Sequence, residues 1–482
     1  MQVDTPRPAE RMAKGQISPI GLAALAIGIM SPALGLYTLW GPMQTATGPV
    51  TPWIFGLSAL MAMPTALSYV ELNRAAPSAG AACSWLWRVG SPPGGFLVGL
   101  AMATYFLCGT LAQPITFGLF FQDLLLYLGY SAAAPWVWPV ALVLITVPVI
   151  FVTWRGAEAS TRMSVVLMAI ESVAVLALSA TILWVKRDVP DGINLRPFDL
   201  GNMTHGVPGF WSAMLLGMLA YSGFDVVSTA AEEAKAPASH IPRVILLTIA
   251  GIACFWMLNS WVLTLSVAPE RVAQLSQQGL TAVTPVAQTY WGQGRIVIIL
   301  TAFTGIFAIY ITSSLGVSRI LFALARHGLL PAGLAVLGGR NRVPRRALSL
   351  VFIVSLAAAG ISLRLLPNGL DAFTWWSNAQ VFFMTLTFGA VNLCNLLFFR
   401  HAPLNRRRLL ANVLVPVVGL LLNIYVCYAA FFDALWNGDP LRQRSVVSAS
   451  VGLLALYVVA VVIMRIVAPQ RLQGPPPLQA EP

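Results

Sequence analysis

Gly28-Ile29-Met30-Ser31-Pro32-Ala33-Leu34-Gly35 interrupts the first long apolar run of this chain, and Leu219-Ala220-Tyr221-Ser222-Gly223-Phe224-Asp225-Val226 interrupts the sixth. In the first stretch Pro32 lacks an N–H and its ring clashes with the turn before it, while Gly28 and Gly35 let the backbone leave helical geometry. In the second, Gly223 stands in mid-run beside Ser222, and Asp225 adds an ionisable group. Gly28, Pro32, Gly35 and Gly223 are therefore the expected break positions. A broken helix exposes N–H groups at one half and C=O groups at the other. At lipid depth such groups must face a cavity, an ion or a solute.

The runs around these breaks decide the solvent. Of 482 residues, 57% are hydrophobic and 10% are charged, against about 25% charged in soluble domains. Too few charges remain to cover a water-facing surface, which excludes a soluble enzyme, a disordered chain and a disulfide scaffold. A membrane-crossing helix needs about 20 apolar residues. Twelve runs qualify, at roughly 17–46, 52–72, 94–126, 135–154, 160–185, 207–235, 241–268, 295–326, 347–366, 371–400, 410–434 and 446–467. They are continuous rather than alternating, so helices are expected and barrel strands are not. The run from Ile17 is too long for a signal peptide and is expected to remain as a span. The five cysteines form no CxxC pair and read as packed thiols.

Net charge +12 follows from topology rather than nucleic acid binding. With the N-terminus placed inside, inner segments hold 20 of the 29 basic residues, outer segments hold 8, and Arg319 lies within a span. Both termini are thus expected in the cytoplasm of a multi-pass protein of the cell membrane, with the bilayer as its partner and no nucleic acid or obligatory protein partner. Residues 1–14 and 469–482 read as disordered ends. Residues 15–190 and 206–400 each hold five spans, and 401–468 hold the last two. The interrupted runs are the first and the sixth. That spacing suits a five-helix unit repeated in inverted topology, with two extra helices, and it points to a transporter's central site. The expected fold is an all-α membrane protein of 12 transmembrane helices, with a 5+5 inverted repeat broken at helices 1 and 6.

Three motifs carry a resemblance. Tyr221-Ser222-Gly223-Phe224-Asp225-Val226-Val227-Ser228-Thr229-Ala230-Ala231-Glu232-Glu233-Ala234-Lys235-Ala236-Pro237, continued by Ile241-Pro242-Arg243, resembles the sixth-helix signature of amino acid–polyamine–organocation permeases. Pro77-Ser78-Ala79-Gly80-Ala81-Ala82-Cys83-Ser84-Trp85 and Ser318-Arg319-Ile320-Leu321-Phe322-Ala323-Leu324-Ala325-Arg326-His327-Gly328-Leu329-Leu330-Pro331 match two further family segments. The resemblance covers about residues 17–400. It implies the LeuT-type fold, alternating access, and import or exchange of amino acids, polyamines or related amines. One departure stands out. Amino acid members carry a glycine-rich first break whose N–H groups hold the substrate carboxylate, whereas here Pro32 removes one donor. The Ser31-Pro32 step is similar to putrescine-importer-like members, and Ser31 with the backbone of Ala33 and Leu34 remains to donate.

Ile29, Met30, Ser31, Ala33 and Leu34 are expected to face the substrate from span 1. Tyr221, Ser222, Gly223 and Phe224 are expected to face it from span 6, with Tyr105 a candidate from span 3. Free carbonyls and aromatic faces there suit an ammonium. Asp225 has two readings: it caps the second half-helix, or it attracts a cationic substrate. A charge at this depth costs ~2.5–3.5 kcal/mol on insertion scales and is not idle. Glu171 is the second intramembrane acid. By resemblance it lies where some proton-coupled relatives carry a lysine in place of sodium. It is expected to take up a proton, or to bind a cation such as Na+ with the hydroxyls of Ser313 and Ser314; a structural, paired Glu171 is the plainer alternative.

Arg319, Arg88, Glu71, Glu232 and Glu233 read either as an inner gate or as solvated helix ends. No phosphate-binding loop, HExxH or GxSxG is present, so no cofactor and no enzyme chemistry are expected. The leading function is a secondary active transporter of amino acids or related amines. A polyamine importer is the alternative, and a non-transporting membrane sensor is the alternative of another class.

Overall fold

The computed structural model describes residues 12, 14–132, 134–268, 271–272, 274–275, 281–339, 341–403, 405–432, 435–436, 440–467 and 469–472. Residues 1–11, 13 and 473–482, which belong to the ends read as disordered, lie outside them. Met12, within the same N-terminal end, is buried against Ala79 and Phe322.

Each expected run falls on helix. The first is split into α1 (Pro19–Met30) and α2 (Pro32–Thr47), followed by α3 (Thr51–Ala75), the short α4 (Ala81–Arg88), α5 (Pro92–Tyr127), α6 (Val137–Trp154) and α7 (Ala157–Lys186). The second half holds α8 (Gly206–Ala220), the four-residue α9 (Val226–Thr229), α10 (Pro237–Ser266), α11 (Val283–Trp291), α12 (Ile296–Arg326), α13 (Arg345–Leu365) and α14 (Gly369–Phe398). α15 (Val415–Cys427) and α16 (Leu453–Val467) follow.

Among the described residues, nine helical stretches are long and apolar enough to cross a membrane. The first, Pro19–Ala75, carries two of the expected runs. The sixth and twelfth runs fall on shorter apolar helices, Gly206–Ala220 and Ser450–Ile466.

The outer face is apolar. On α6, Val143, Val147 and Phe151 stand one turn apart and are 57%, 57% and 58% exposed. Such stripes are rare on soluble monomers and suit lipid. Hydroxyls inside the helices turn back on their own backbone: Thr110 donates to Phe106 O at 2.9 Å and Thr312 to Ala308 O at 2.9 Å. That is the economical answer where no water is at hand. α14 and α12 pack on α5, α10 on α3, α1 on α7 and α2 on α8.

A polar seam ties the C-terminal helices to this bundle. The buried Asn392 amide accepts from Ser68 Oγ at 2.8 Å and donates to Thr65 Oγ1 at 2.9 Å. Asn395 donates to Ser68 Oγ at 3.1 Å and accepts from Asn412 at 2.8 Å, while Asn423 of α15 donates to Thr65 Oγ1 at 3.0 Å.

At the end of the bundle where α1 begins, two ion pairs close the interior. Arg319 Nε meets Glu233 Oε2 at 2.6 Å with its side chain 2% exposed, and Arg326 Nη2 meets Glu232 Oε1 at 2.6 Å. Ile17 adds backbone bonds with Glu233 and Lys235. Glu71 pairs instead with Arg74, which is largely exposed. The five charges read together from sequence thus divide: Arg319, Glu232 and Glu233 join these two pairs, while Glu71 pairs with Arg74 and Arg407.

Removing the centre of the polar seam leaves Ser68 and Thr65 short of partners. Asn392→Leu is expected to lower stability by about 1–3 kcal/mol, read as a fall in the thermal midpoint of the detergent-purified protein. Leu421→Ala, on the exposed face of α15, should change that midpoint little. Equal midpoints for Asn392→Leu and the parent chain would show that the seam does not hold these helices.

Candidate functional site

The first break is one residue wide. Ser31 adopts φ 45°, ψ 107° between α1 and α2, a left-handed conformation uncommon outside glycine. The cost is offset by bonds it makes available. Ser31 Oγ accepts from Leu34 N at 3.1 Å and donates to Glu171 Oε2 at 2.5 Å, and Ala33 N donates to the same carboxylate oxygen at 3.2 Å. Charge-assisted bonds at a helix N-terminus are among the stronger ones available to a protein. Gly305 on α12 makes room for them: a Cβ there would lie 2.6 Å from Ser31 Oγ and 3.3 Å from Glu171 Oε2.

The consequence for α1 is that its last turn loses its acceptor matches. Pro32 has no N–H, and the N–H groups of Ala33 and Leu34 are turned to Glu171 and Ser31. The carbonyls of Gly28, Ile29 and Met30 therefore receive no bond from the next turn. The break is poor in free donors and rich in free acceptors, with the negative end of α1 behind it.

The second break spans Tyr221–Asp225, between α8 and α9. Gly223 has φ +107°, and a Cβ there would lie 2.2 Å from Ile29 Cγ2, so the two breaks touch at a point only glycine fills. Asp225 is fully buried. Its side chain makes no cap bond to α9. It accepts instead from Tyr105 OH at 3.1 Å and Tyr69 OH at 3.3 Å.

A cavity of about 110 Å³ lies beside the breaks, several times the ~10–15 Å³ that one water needs. Of the residues expected at a substrate, Ile29, Met30, Leu34, Tyr105 and Ser222 line it, as do Gly35 and Ser313.

The other expected residues sit elsewhere, each for a physical reason. Ser31 and Ala33 are occupied with Glu171. Tyr221 donates to Phe55 O at 2.8 Å and packs edge-on against Trp256. Phe224 is wedged between Tyr69 and Phe388. Gly223 is covered by Ile29, and Asp225 is sealed behind the two tyrosines rather than capping α9.

Gly28 and Gly35 lie within helices, not at the breaks. They leave space for Thr312 and for the Trp256 ring, which donates to Pro32 O at 3.0 Å. Ser313 and Ser314 donate to Ile309 O at 2.7 Å and Tyr310 O at 2.5 Å, and neither bonds Glu171.

Residues not expected from sequence complete the wall. Gln113 and Thr116 come from α5, Thr38 from α2, and Phe373, Ser377 and Gln380 from α14. Gln113 and Gln380 are polar residues inside apolar runs, and that was the available signal. Among the described residues, none lining the cavity carries a formal charge. Among the described residues no cluster of His, Cys, Asp and Glu could hold a metal.

A family described as amino acid permease matches residues 17–466 of this chain. A branched-chain amino acid permease of Bacillus subtilis (strain 168) is 25% identical over 348 residues, covering 70% of this chain and 72% of the relative. A methylthioribose transporter from the same organism is 27% identical, covering 71% and 74%. A low-affinity putrescine importer of Escherichia coli (strain K12) is 23% identical, covering 74% and 77%.

The contact between the breaks gives a direct test. Gly223→Ala places a Cβ in a left-handed backbone against Ile29 and should lower the thermal midpoint. Gly251→Ala, in mid-helix with open space at its Cβ position, should leave stability unchanged or raise it by up to about 1 kcal/mol. If Gly223→Ala behaves like Gly251→Ala, the second break does not need glycine.

Proposed function

Because the chain belongs to the amino acid permease family, within the amino acid–polyamine–organocation permeases, we propose that it is a proton-coupled importer of small zwitterionic amines of the amino acid class, working by alternating access. It is a multi-pass membrane permease, not an enzyme. The finer reading takes the twelve runs as spans, five inverted on five with two added, and places both termini in the cytoplasm of a cell-membrane protein. Both ion pairs then lie on the cytoplasmic side. The cavity, lined by the last turn of α1, the start of α2 and the first turns of α14, then belongs to the outer half.

The observation that carries this reading is the acceptor-rich break of span 1 beside a cavity without charged side chains. An amine-bearing solute puts its ammonium at the end of α1, by the carbonyls of Ile29 and Met30, where the helix dipole favours a cation. A diamine would bring a second ammonium into a wall with no carboxylate to meet it, which is costly, whereas a zwitterion carries its carboxylate beside its own ammonium. This favours amino acids over putrescine-like substrates.

Glu171 supplies the coupling in this reading. Its Oε2 holds the start of α2, while its Oε1 is buried without a partner and is the atom available to a proton. A neutral carboxyl is a weaker acceptor for Ala33 N and Ser31 Oγ. Protonation therefore loosens the joint between α7 and the broken helix, and loss of the proton retightens it. Ser313 and Ser314 make no hydrogen bond with Glu171, and in this reading the carboxylate works with a proton rather than within a Na+ shell.

The test is uptake of L-alanine, L-lysine and putrescine into proteoliposomes under an inward proton gradient, an inward sodium gradient or neither. L-Alanine should accumulate only with the proton gradient. Glu171→Gln should keep exchange of L-alanine across the membrane and lose gradient-driven accumulation. Accumulation driven by sodium, or undiminished in Glu171→Gln, would overturn the coupling role. Preference for putrescine would overturn the substrate class.

A further inference from the structure

Gln113 is 6% exposed and lies in the cavity wall. Its Nε2 is turned back onto Gly109 O at 2.9 Å, whereas its Oε1 is buried and has no partner. A carboxamide oxygen left unmatched at this depth is a standing cost that a donor removes.

The neighbouring amide is close. Gln380 lines the same cavity from α14, and its Nε2 and Oε1 lie 3.4 and 3.5 Å from the point a Cβ on Gly109 would take. Gly109 thus neighbours both amides: its carbonyl accepts from Gln113 Nε2, and the Gln380 amide lies in van der Waals reach of its Cβ position. Two other hydroxyls of this wall spend their hydrogens on their own helices: Thr116 donates to Ala112 O and Ser377 to Phe373 O, both at 2.9 Å.

We infer that Gln113 and Gln380 form a specificity clamp that reads an uncharged hydrogen-bond donor on the substrate side chain, so that the preferred substrates are amino acids bearing a hydroxyl or carboxamide. The inference rests on the amino acid reading of the cavity and narrows it.

The chemistry selects in both directions. An apolar side chain leaves Gln113 Oε1 unmatched. A carboxylate offers that oxygen only another acceptor, and an ammonium finds neutral acceptors but no countercharge. A hydroxyl or carboxamide donates to Gln113 Oε1 and accepts from the Gln380 amide. A site built around buried polar groups discriminates strongly against an isostere that leaves them unpaired.

The experiment is binding, so it does not depend on coupling. The thermal midpoint of the purified full-length protein is measured against increasing L-threonine and L-valine, which are near-isosteric, and against L-glutamine and L-methionine as a longer pair. L-Threonine should half-saturate the shift at about tenfold lower concentration than L-valine, the ratio expected of one matched polar contact. L-Glutamine should lead L-methionine in the same way. In Gln113→Leu and, separately, Gln380→Leu both ratios should fall toward one.

Equal responses to L-threonine and L-valine in the parent chain, or ratios kept in both variants, would overturn the clamp. So would the absence of any response to all four. Should one variant fail to fold, the parent ratio and the other variant decide. L-Alanine accumulation in proteoliposomes reports separately on the amino acid reading, so the clamp can fail while that reading stands.

Discussion

A carboxylate bonded to the start of a half-helix is the contact on which this structure turns. Lipid offers no partner to a free N–H, so a helix broken in mid-membrane must find acceptors within the chain. Glu171 Oε2 supplies them to Ser31 Oγ and Ala33 N, and Ser31 Oγ supplies one to Leu34 N. The left-handed Ser31 is tolerable because its hydroxyl joins two bonds, one to Glu171 and one from Leu34 N. With its donors satisfied, α2 starts cleanly at Pro32, whose missing N–H is one less group to place. The carbonyls closing α1 lose their usual donors from the next turn, and Ile29 and Met30 of that turn line the cavity.

This division of labour explains why a cavity in the middle of a charged-residue-poor bundle still has a preferred polarity. The two acids at membrane depth are both turned away from it: Glu171 toward the break, Asp225 toward the hydroxyls of Tyr69 and Tyr105. The arginine nearest the interior, Arg319, is paired with Glu233 at the end where α1 begins. The polar side chains that the described cavity wall offers are therefore hydroxyls and two amides.

Much of this was legible in the sequence, and the limits have physical causes. Pro32 and the Ser222-Gly223 step mark the breaks because they alter the backbone itself, so their effect is local and readable. Glu171 and Asp225 stand out because charges are costly in lipid. The direction each side chain takes is not local. Asp225 looked like a cap from its place before a half-helix, yet the tyrosine hydroxyls of α3 and α5 reach it first. Gly28 and Gly35 looked like hinge residues because glycine permits a turn. They serve the close approach of Thr312 and Trp256, which depends on partners more than 200 residues away. Tyr221 and Phe224 were drawn to the cavity by their position at the break, and packing against Trp256 and Phe388 claims them instead. Gln113 and Gln380 passed unnoticed because a glutamine inside an apolar run carries no charge and no motif.

The arrangement of the two acids has a structural implication of its own. Each break is tied by a carboxylate to helices that are not broken: the first through Glu171 to α7, the second through Asp225 to α3 and α5. A broken helix can swing only if such a tie yields or moves with it, so the stiffness of each joint depends on how firmly its carboxylate is held. The two ties differ in their relation to the cavity. Glu171 touches none of the lining side chains through a hydrogen bond, and only the Leu34 N–H, through Ser31, links it to the wall. Asp225 is bonded directly to Tyr105, whose ring lines the cavity. A solute pressing on Tyr105 thus bears on the second joint, while the first joint responds to the state of Glu171. The geometry keeps the two joints distinct and brings the two breaks together where Gly223 meets Ile29.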